Sequence, residues 1–137
     1  MDAVIQSLIA GFPIFMLHSS VTLAMLALGV AVYVMITPYP EFRLVRDGNL
    51  AAAISLSGAI VGIALPLAFC LAASVSLFDI VIWGSVTVVL QLVAYKVTDL
   101  LLRELPRRIE AGEVGPAILL VGIKLAVAAV NAAAVSG

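Results

Sequence analysis

Charge is scarce in this chain. Asp, Glu, Lys and Arg make up 11 % of its 137 residues, against 64 % hydrophobic ones. A soluble domain carries about 25 % charged residues, so this sequence has too little polar material to cover itself and reads as an integral membrane protein. Seven Lys and Arg against eight acids leave a formal net charge of −1. With no basic stripe to neutralise phosphates, nucleic acid is excluded as a partner. One cysteine, Cys70, and one histidine, His18, supply neither a disulfide nor a set of metal ligands. No Lys or Arg precedes Arg43, so the N-terminus lacks the positive n-region of a cleavable signal peptide and is expected to remain in the mature protein. Glycine-rich phosphate loops, paired intramembrane carboxylates and a Ser/His/Asp set at matched depth are all missing. Neither an enzyme nor a bound cofactor is expected.

What the chain does have is long apolar runs. Four of them are long enough to cross a hydrocarbon core of ~30 Å at 1.5 Å per residue: about Phe12–Ile36, Leu50–Ala73, Leu77–Leu102 and Val114–Val135. All should be helical, because lipid leaves the backbone of a lone strand unpaired, and solid runs do not show the alternation of a β-barrel. The expected fold is an all-α bundle of four transmembrane helices in a single membrane domain, 1–137. Gly11 and Pro13 favour a separate interfacial piece for residues 1–10, and Pro106 is expected to stop the third helix. Arg43 and Arg46 follow span one, and Arg103, Arg107 and Arg108 follow span three, while both termini and the link at Ser74–Ser76 carry none. The positive-inside rule then puts both basic loops in the cytoplasm and both termini outside.

The chain also repeats itself. "SVT" at 20–22 recurs at 85–87, and "GNLAAAI" at 48–54 is matched by "GEVGPAI" at 112–118. Two helix pairs, about 12–73 and about 77–136, should therefore be parallel copies related by an axis along the membrane normal. Gly58 and Gly62 form a GxxxG on span two, and Gly122 with Ala126 repeats the small-xxx-small spacing on span four. Such pairs let helices approach closely in lipid, within one chain or between two. Pro66 cannot donate to the Gly62 carbonyl, which implies a kink.

Lys124 stands alone in the apolar stretch "AILLVGIKLAVAAV". It lies ~16 Å along its helix from Glu113, and Gln91 is ~18 Å from Arg103 on span three, so the two share a level near the midplane. An ammonium facing lipid there costs at least about 2.5–3.5 kcal/mol. Lys124 is therefore expected to point at Gln91, a backbone carbonyl, a water-filled cavity or a neighbouring subunit, or else to sit deprotonated. His18 and Asn131 form a second polar layer further out, and Asp79 lies at the outer rim, where a helix N-terminus favours an acid. In the inner loops, Lys96 with Asp99 and Glu104 with Arg108 have the spacing of helix-surface ion pairs.

"ITPYPEFRLVRDGNLAAAISLSGAIVGIALPLA" (36–68), "SVSLFDIVIWG" (74–84) and Gln91 resemble the DUF350 family of small bacterial inner-membrane proteins, also called UPF0719. The resemblance covers nearly the whole chain. It is strongest at Thr37-Pro38, Gly48 to Ala52, Gly58, Gly62, Pro66, Asp79 and Trp83-Gly84, and it does not extend to Lys124. It implies four helices built as two repeats, no assigned activity, and an association with envelope-stress proteins. The expectation is an oligomeric membrane scaffold whose basic loops, through Arg43, Arg46, Arg103, Arg107 and Arg108, dock a peripheral cytoplasmic partner. The alternative is a small homo-oligomeric channel or transporter in which Lys124, Gln91, Asn131 and His18 line a polar path.

Overall fold

The computed structural model describes residues 1–137. It is entirely helical: α1 (Asp2–Ile36), α2 (Glu41–Arg46), α3 (Leu50–Ala73), α4 (Leu77–Leu101), α5 (Glu104–Glu110) and α6 (Val114–Ser136). The four long helices α1, α3, α4 and α6 are each long and apolar enough to cross a membrane, as the hydrophobic runs predict. Two boundaries differ from the sequence reading. Helix α1 runs unbroken through Gly11 and Pro13 from Asp2, so residues 1–10 extend the first span. Helix α4 stops at Leu101, and Pro106 sits in the first turn of the new helix α5, a place where its missing N–H costs nothing.

Helix α3 is the hub. It packs against α6 over the most extensive interface, and against α4 and α1 as well. Gly58 makes the α3–α6 approach possible, since a Cβ there would collide with the Val121 side chain. A Cβ on Gly62 would overlap the Tyr95 hydroxyl. The second small pair behaves otherwise. Gly122 has open space at its Cβ position, and both Gly122 and Ala126 lie on the exposed face of α6. Helix α6 instead turns Ala117, Leu120, Lys124 and Ala128 inward. The spacing read from sequence could not say which side of α6 meets α3, and it was the other one.

The element order of long helix, short helix, positive-φ glycine and long helix occurs twice. After α2, the Asn49 amide donates to the Leu44 carbonyl and the Gly48 amide to that of Val45; after α5, Glu113 donates to Arg108 and Gly112 to Ile109. Both are Schellman closures, which need a left-handed residue, and Gly48 (φ 87°) and Gly112 (φ 89°) supply it. Asn49 then caps α3 by accepting from the Ala52 amide, and its Nδ2 donates to the carbonyls of Ile109 and Glu110. That side chain ties the two turns together, so α2 and α5, with their four arginines and with Arg103 just ahead of α5, lie at one end of the bundle. Tyr39, Ala51, Ala52, Ile109, Ala117 and Leu120 form the apolar cluster beneath them.

Candidate functional site

Helix α6 leads away from the arginine end, whereas α1 and α4 lead towards it. Side chains lean towards the N-terminus of their own helix. Lys124 therefore leans towards the arginine end, while Tyr33 and Asp99 lean towards the lysine. They meet inside the protein. The Lys124 ammonium donates to the Tyr33 hydroxyl at 3.0 Å and stands 3.4 Å from Asp99 Oδ1, an ion-pair distance longer than the about 2.7–2.9 Å of a well-formed charged hydrogen bond. It also lies 4.8 Å from the ring centre of Tyr33 and 5.0 Å from that of Tyr95, and the two rings pack edge to face. Desolvated cation–π contacts of this kind contribute about 2 kcal/mol.

The network continues past Tyr33. Its hydroxyl donates to Glu41 Oε1 at 3.0 Å, and Glu41, on the short helix α2, is completely buried. Burial pushes the Glu41 carboxyl up to about 7, against the opposing pull of the Tyr33 hydroxyl and the Lys124 charge. Beside it Tyr39 shares a hydrogen bond with Ser55 of α3, and burial raises its phenol above the ordinary range. One ammonium thus faces two carboxyls among three tyrosines.

The partner of Lys124 is a correction. Gln91 does not bind it; Gln91 Oε1 accepts from Asn131 Nδ2 at 3.1 Å, and Asn131 also donates to the Thr87 carbonyl. Counting rise from helix ends placed no acid at the level of Lys124, because it ignored the opposed lean of the two side chains. Asp99 accordingly pairs with Lys124 rather than Lys96, whose ammonium caps the Ile36 carbonyl at the end of α1. Arg108 makes a two-pronged bond to Glu113 at 2.9 and 3.1 Å, not to Glu104; this raises the arginine and lowers the exposed carboxylate. His18 lies midway along α1, where its carbonyl accepts from Thr22, and does not join the network. Asp79 closes a capping box with Ser76 at the start of α4. Pro66 is buried within a continuous α3. Arg43, Arg46, Arg103 and Arg107 are exposed.

Tyr33, Glu41, Tyr95 and Asp99 were not singled out as site residues. A signal for two of them was present: Gln91, Tyr95 and Asp99 recur every fourth residue on one helix face, a polar stripe along an apolar helix.

At the arginine end a pocket of about 370 Å³ opens beside this network, lined by Tyr39, Lys96, Asp99, Arg103, Arg107 and Glu110 among others. At the opposite end a pocket of about 490 Å³ is lined by Cys70, Ser74, Asp79, Trp83 and Asn131 with their apolar neighbours.

Residues 7–135 match the family described as "Domain of Unknown Function (DUF350)". The chain belongs to the DUF350 family. It is also 30 % identical over 92 residues, 67 % of each chain, to the UPF0719 inner membrane protein YjfL of Escherichia coli strain K12, with the same figures for the YjfL protein of E. coli O157:H7. No solved structure matches. Family membership and four apolar helices make this an inner-membrane protein.

Proposed function

We propose that this DUF350 protein acts without catalysis, as a scaffold that assembles with a second copy of itself in the bilayer plane and presents its arginine-bearing end to a peripheral partner. The carrying observation is the N-terminal half of α1. Residues 1–17 are all exposed, including Val4, Ile5, Leu8, Ile9, Phe12 and Phe15. Helix α1 is ~52 Å long, against ~35–38 Å for the other three long helices and ~30 Å of hydrocarbon. An apolar helix that overreaches its own bundle has surface to share with another chain. The open Gly122 and Ala126 face of α6 offers a second close-packing stripe. The positive-inside rule orients α2 and α5, with Arg43, Arg46, Arg103 and Arg107, towards the cytoplasm and both termini outward. The two halves act as parallel copies in this reading, and the resemblance to DUF350 proteins suggests the partner belongs to envelope-stress defence.

Cross-linking tests assembly. In a Cys70→Ala background, Ile5→Cys, Leu8→Cys and Phe12→Cys should give disulfide dimers in native membranes, while Ile63→Cys, inside the bundle, should not. Monomers alone at all three α1 positions would overturn the scaffold.

A second reading, a small channel or transporter, is favoured by one observation. Two of the four polar candidates, Gln91 and Asn131, bond to each other between α4 and α6, and a third, Lys124, is buried in the same bundle.

A further inference from the structure

Of the seven Lys and Arg residues, two form ion pairs within the protein, Arg108 with Glu113 and Lys124 with Asp99. Three of the other five, Lys96, Arg103 and Arg107, line a single pocket of about 370 Å³ at the arginine end. The fold gathers them there. Helix α4 stops at Leu101, and the chain restarts as α5 with Arg103 at its N-cap. Pro106 and Ile109 anchor α5 by burial. Arg103 and Arg107, four residues apart and so on one helix face, are left outward and exposed. Lys96 reaches the same pocket from α4 and gives one hydrogen bond to the Ile36 carbonyl, which leaves two of its three N–H groups for a ligand.

Two acids also line the pocket, Asp99 and Glu110. Asp99 is held by Lys124, so three cations face one unpaired carboxylate and a surplus of positive charge remains. A site of this sign selects an anion, and the guanidinium fork matches the oxygens of a phosphate. Depth decides between a dissolved anion and a lipid. Lys96 lies ~7.5 Å inside the end of α4, a helix ~38 Å long against ~30 Å of hydrocarbon. Its ammonium therefore stands where hydrocarbon gives way to headgroups. On α4 Lys96 shares a face with Leu100 towards the pocket and with Val93 and Val89 towards the bilayer, at three- and four-residue spacing. These three apolar side chains are about half exposed. A dissolved phosphate gains nothing from that strip. A phospholipid can lay an acyl chain along it with its phosphate among the cations.

We infer that the pocket lined by Lys96, Arg103 and Arg107 holds the phosphate of an anionic phospholipid, in the leaflet on the arginine side, with an acyl chain against Val93 and Val89. Basic pockets between membrane helices take anionic headgroups in this way. The bound phosphate would bridge α4 to α5 across the break at Leu102, beside Tyr39 and Asp99 at the open end of the buried network. A zwitterionic lipid carries the same phosphate with an ammonium of its own, which the three cations repel, so discrimination by headgroup charge is the signature of the site. Arg43 and Arg46 do not line the pocket and stay free for a peripheral partner. The inference therefore stands apart from the scaffold reading, and a chain that never dimerises would still hold its lipid.

The test uses the full-length protein in dodecylmaltoside micelles, with dioleoyl phosphatidylglycerol or dioleoyl phosphatidylcholine added and bound lipid counted by native mass spectrometry. Phosphatidylglycerol should be retained at concentrations where phosphatidylcholine is not. Arg103→Gln combined with Arg107→Gln should weaken that binding about thirtyfold, from two cations each contributing about a factor of five beside an anionic headgroup. Both arginines are exposed and make no ion pair, so this double variant should keep the wild-type circular dichroism. Arg43→Gln combined with Arg46→Gln removes the same charge from the same end and should leave the binding unchanged. Equal retention of the two lipids, binding undiminished in the Arg103 and Arg107 variant, or equal loss in both double variants would overturn the site. Displacement of phosphatidylglycerol by millimolar inorganic phosphate would show a pocket for a soluble anion and sink the lipid. None of these results bears on the α1 cross-links, which decide the scaffold separately.

Discussion

Lys124 and Asp99 meet because they stand on helices of opposite chain direction. Each side chain leans towards its own helix start, which closes a gap that residue counting leaves open. The expected energetics follow from taking one partner away. Lys124→Met would leave the Asp99 and Glu41 carboxyls without their cation and should cost about 3–5 kcal/mol, while Asp99→Asn added to it should recover much of the loss. Unfolding titrations in mixed micelles, read by far-ultraviolet circular dichroism, measure both; a double variant no more stable than Lys124→Met would show that the pair is not coupled. The burial of Lys124 was legible, since hydrocarbon rejects an ammonium. Its partners were not. Glu41 lies in "EFRLVRDGN", a stretch whose charges read as solvated, and only the folding of α2 against Tyr33 puts that carboxyl inside.

The long helices were the most legible elements. Hydropathy located α3 at Leu50–Ala73 and α6 from Val114, because solid apolar runs bounded by Gly-Asn and Ala-Gly-Glu admit little else. The start of α1 was obscured by Gly11 and Pro13, which interrupt helices in water but are tolerated in membrane spans. At this scale Asn49 is the decisive residue, capping α3 and fastening it to the last carbonyls of α5. Asn49→Ala should cost about 1–2 kcal/mol for the lost cap alone. Asn49→Asp keeps the cap but faces the Ile109 and Glu110 carbonyls with an acceptor. It should leave α3 intact and speed hydrogen–deuterium exchange in α5. Equal exchange in Asn49→Asp and wild type would mean the tie contributes nothing.

For the molecule as a whole, Glu41 makes stability depend on pH. Its carboxyl rises from 4.5 unfolded to about 7 folded, so the fold favours the protonated form. That contribution is complete below the unfolded value and is lost as pH climbs through the folded one. The thermal midpoint should therefore fall between about pH 5 and pH 8, and Glu41→Gln should flatten the dependence. A midpoint unchanged by pH in wild type would show that Glu41 is not buried as described. Four crossings were readable from composition, but the packing order was not: which face of α6 meets α3 depends on Gly58 receiving Val121, and small-residue spacing marks both faces of α6 alike.

The bond between Tyr33 and Lys124 joins residues 91 positions apart, and its cation arrives on α6, after the other five helices have been synthesised. Until α6 enters the bilayer, Asp99 and Glu41 are acids without a counterion, and α3 lacks its largest neighbour. A nascent or truncated chain ending before Val114 therefore lacks the one cation that meets these carboxyls. Insertion of α6 and neutralisation of the interior are, for this protein, the same event.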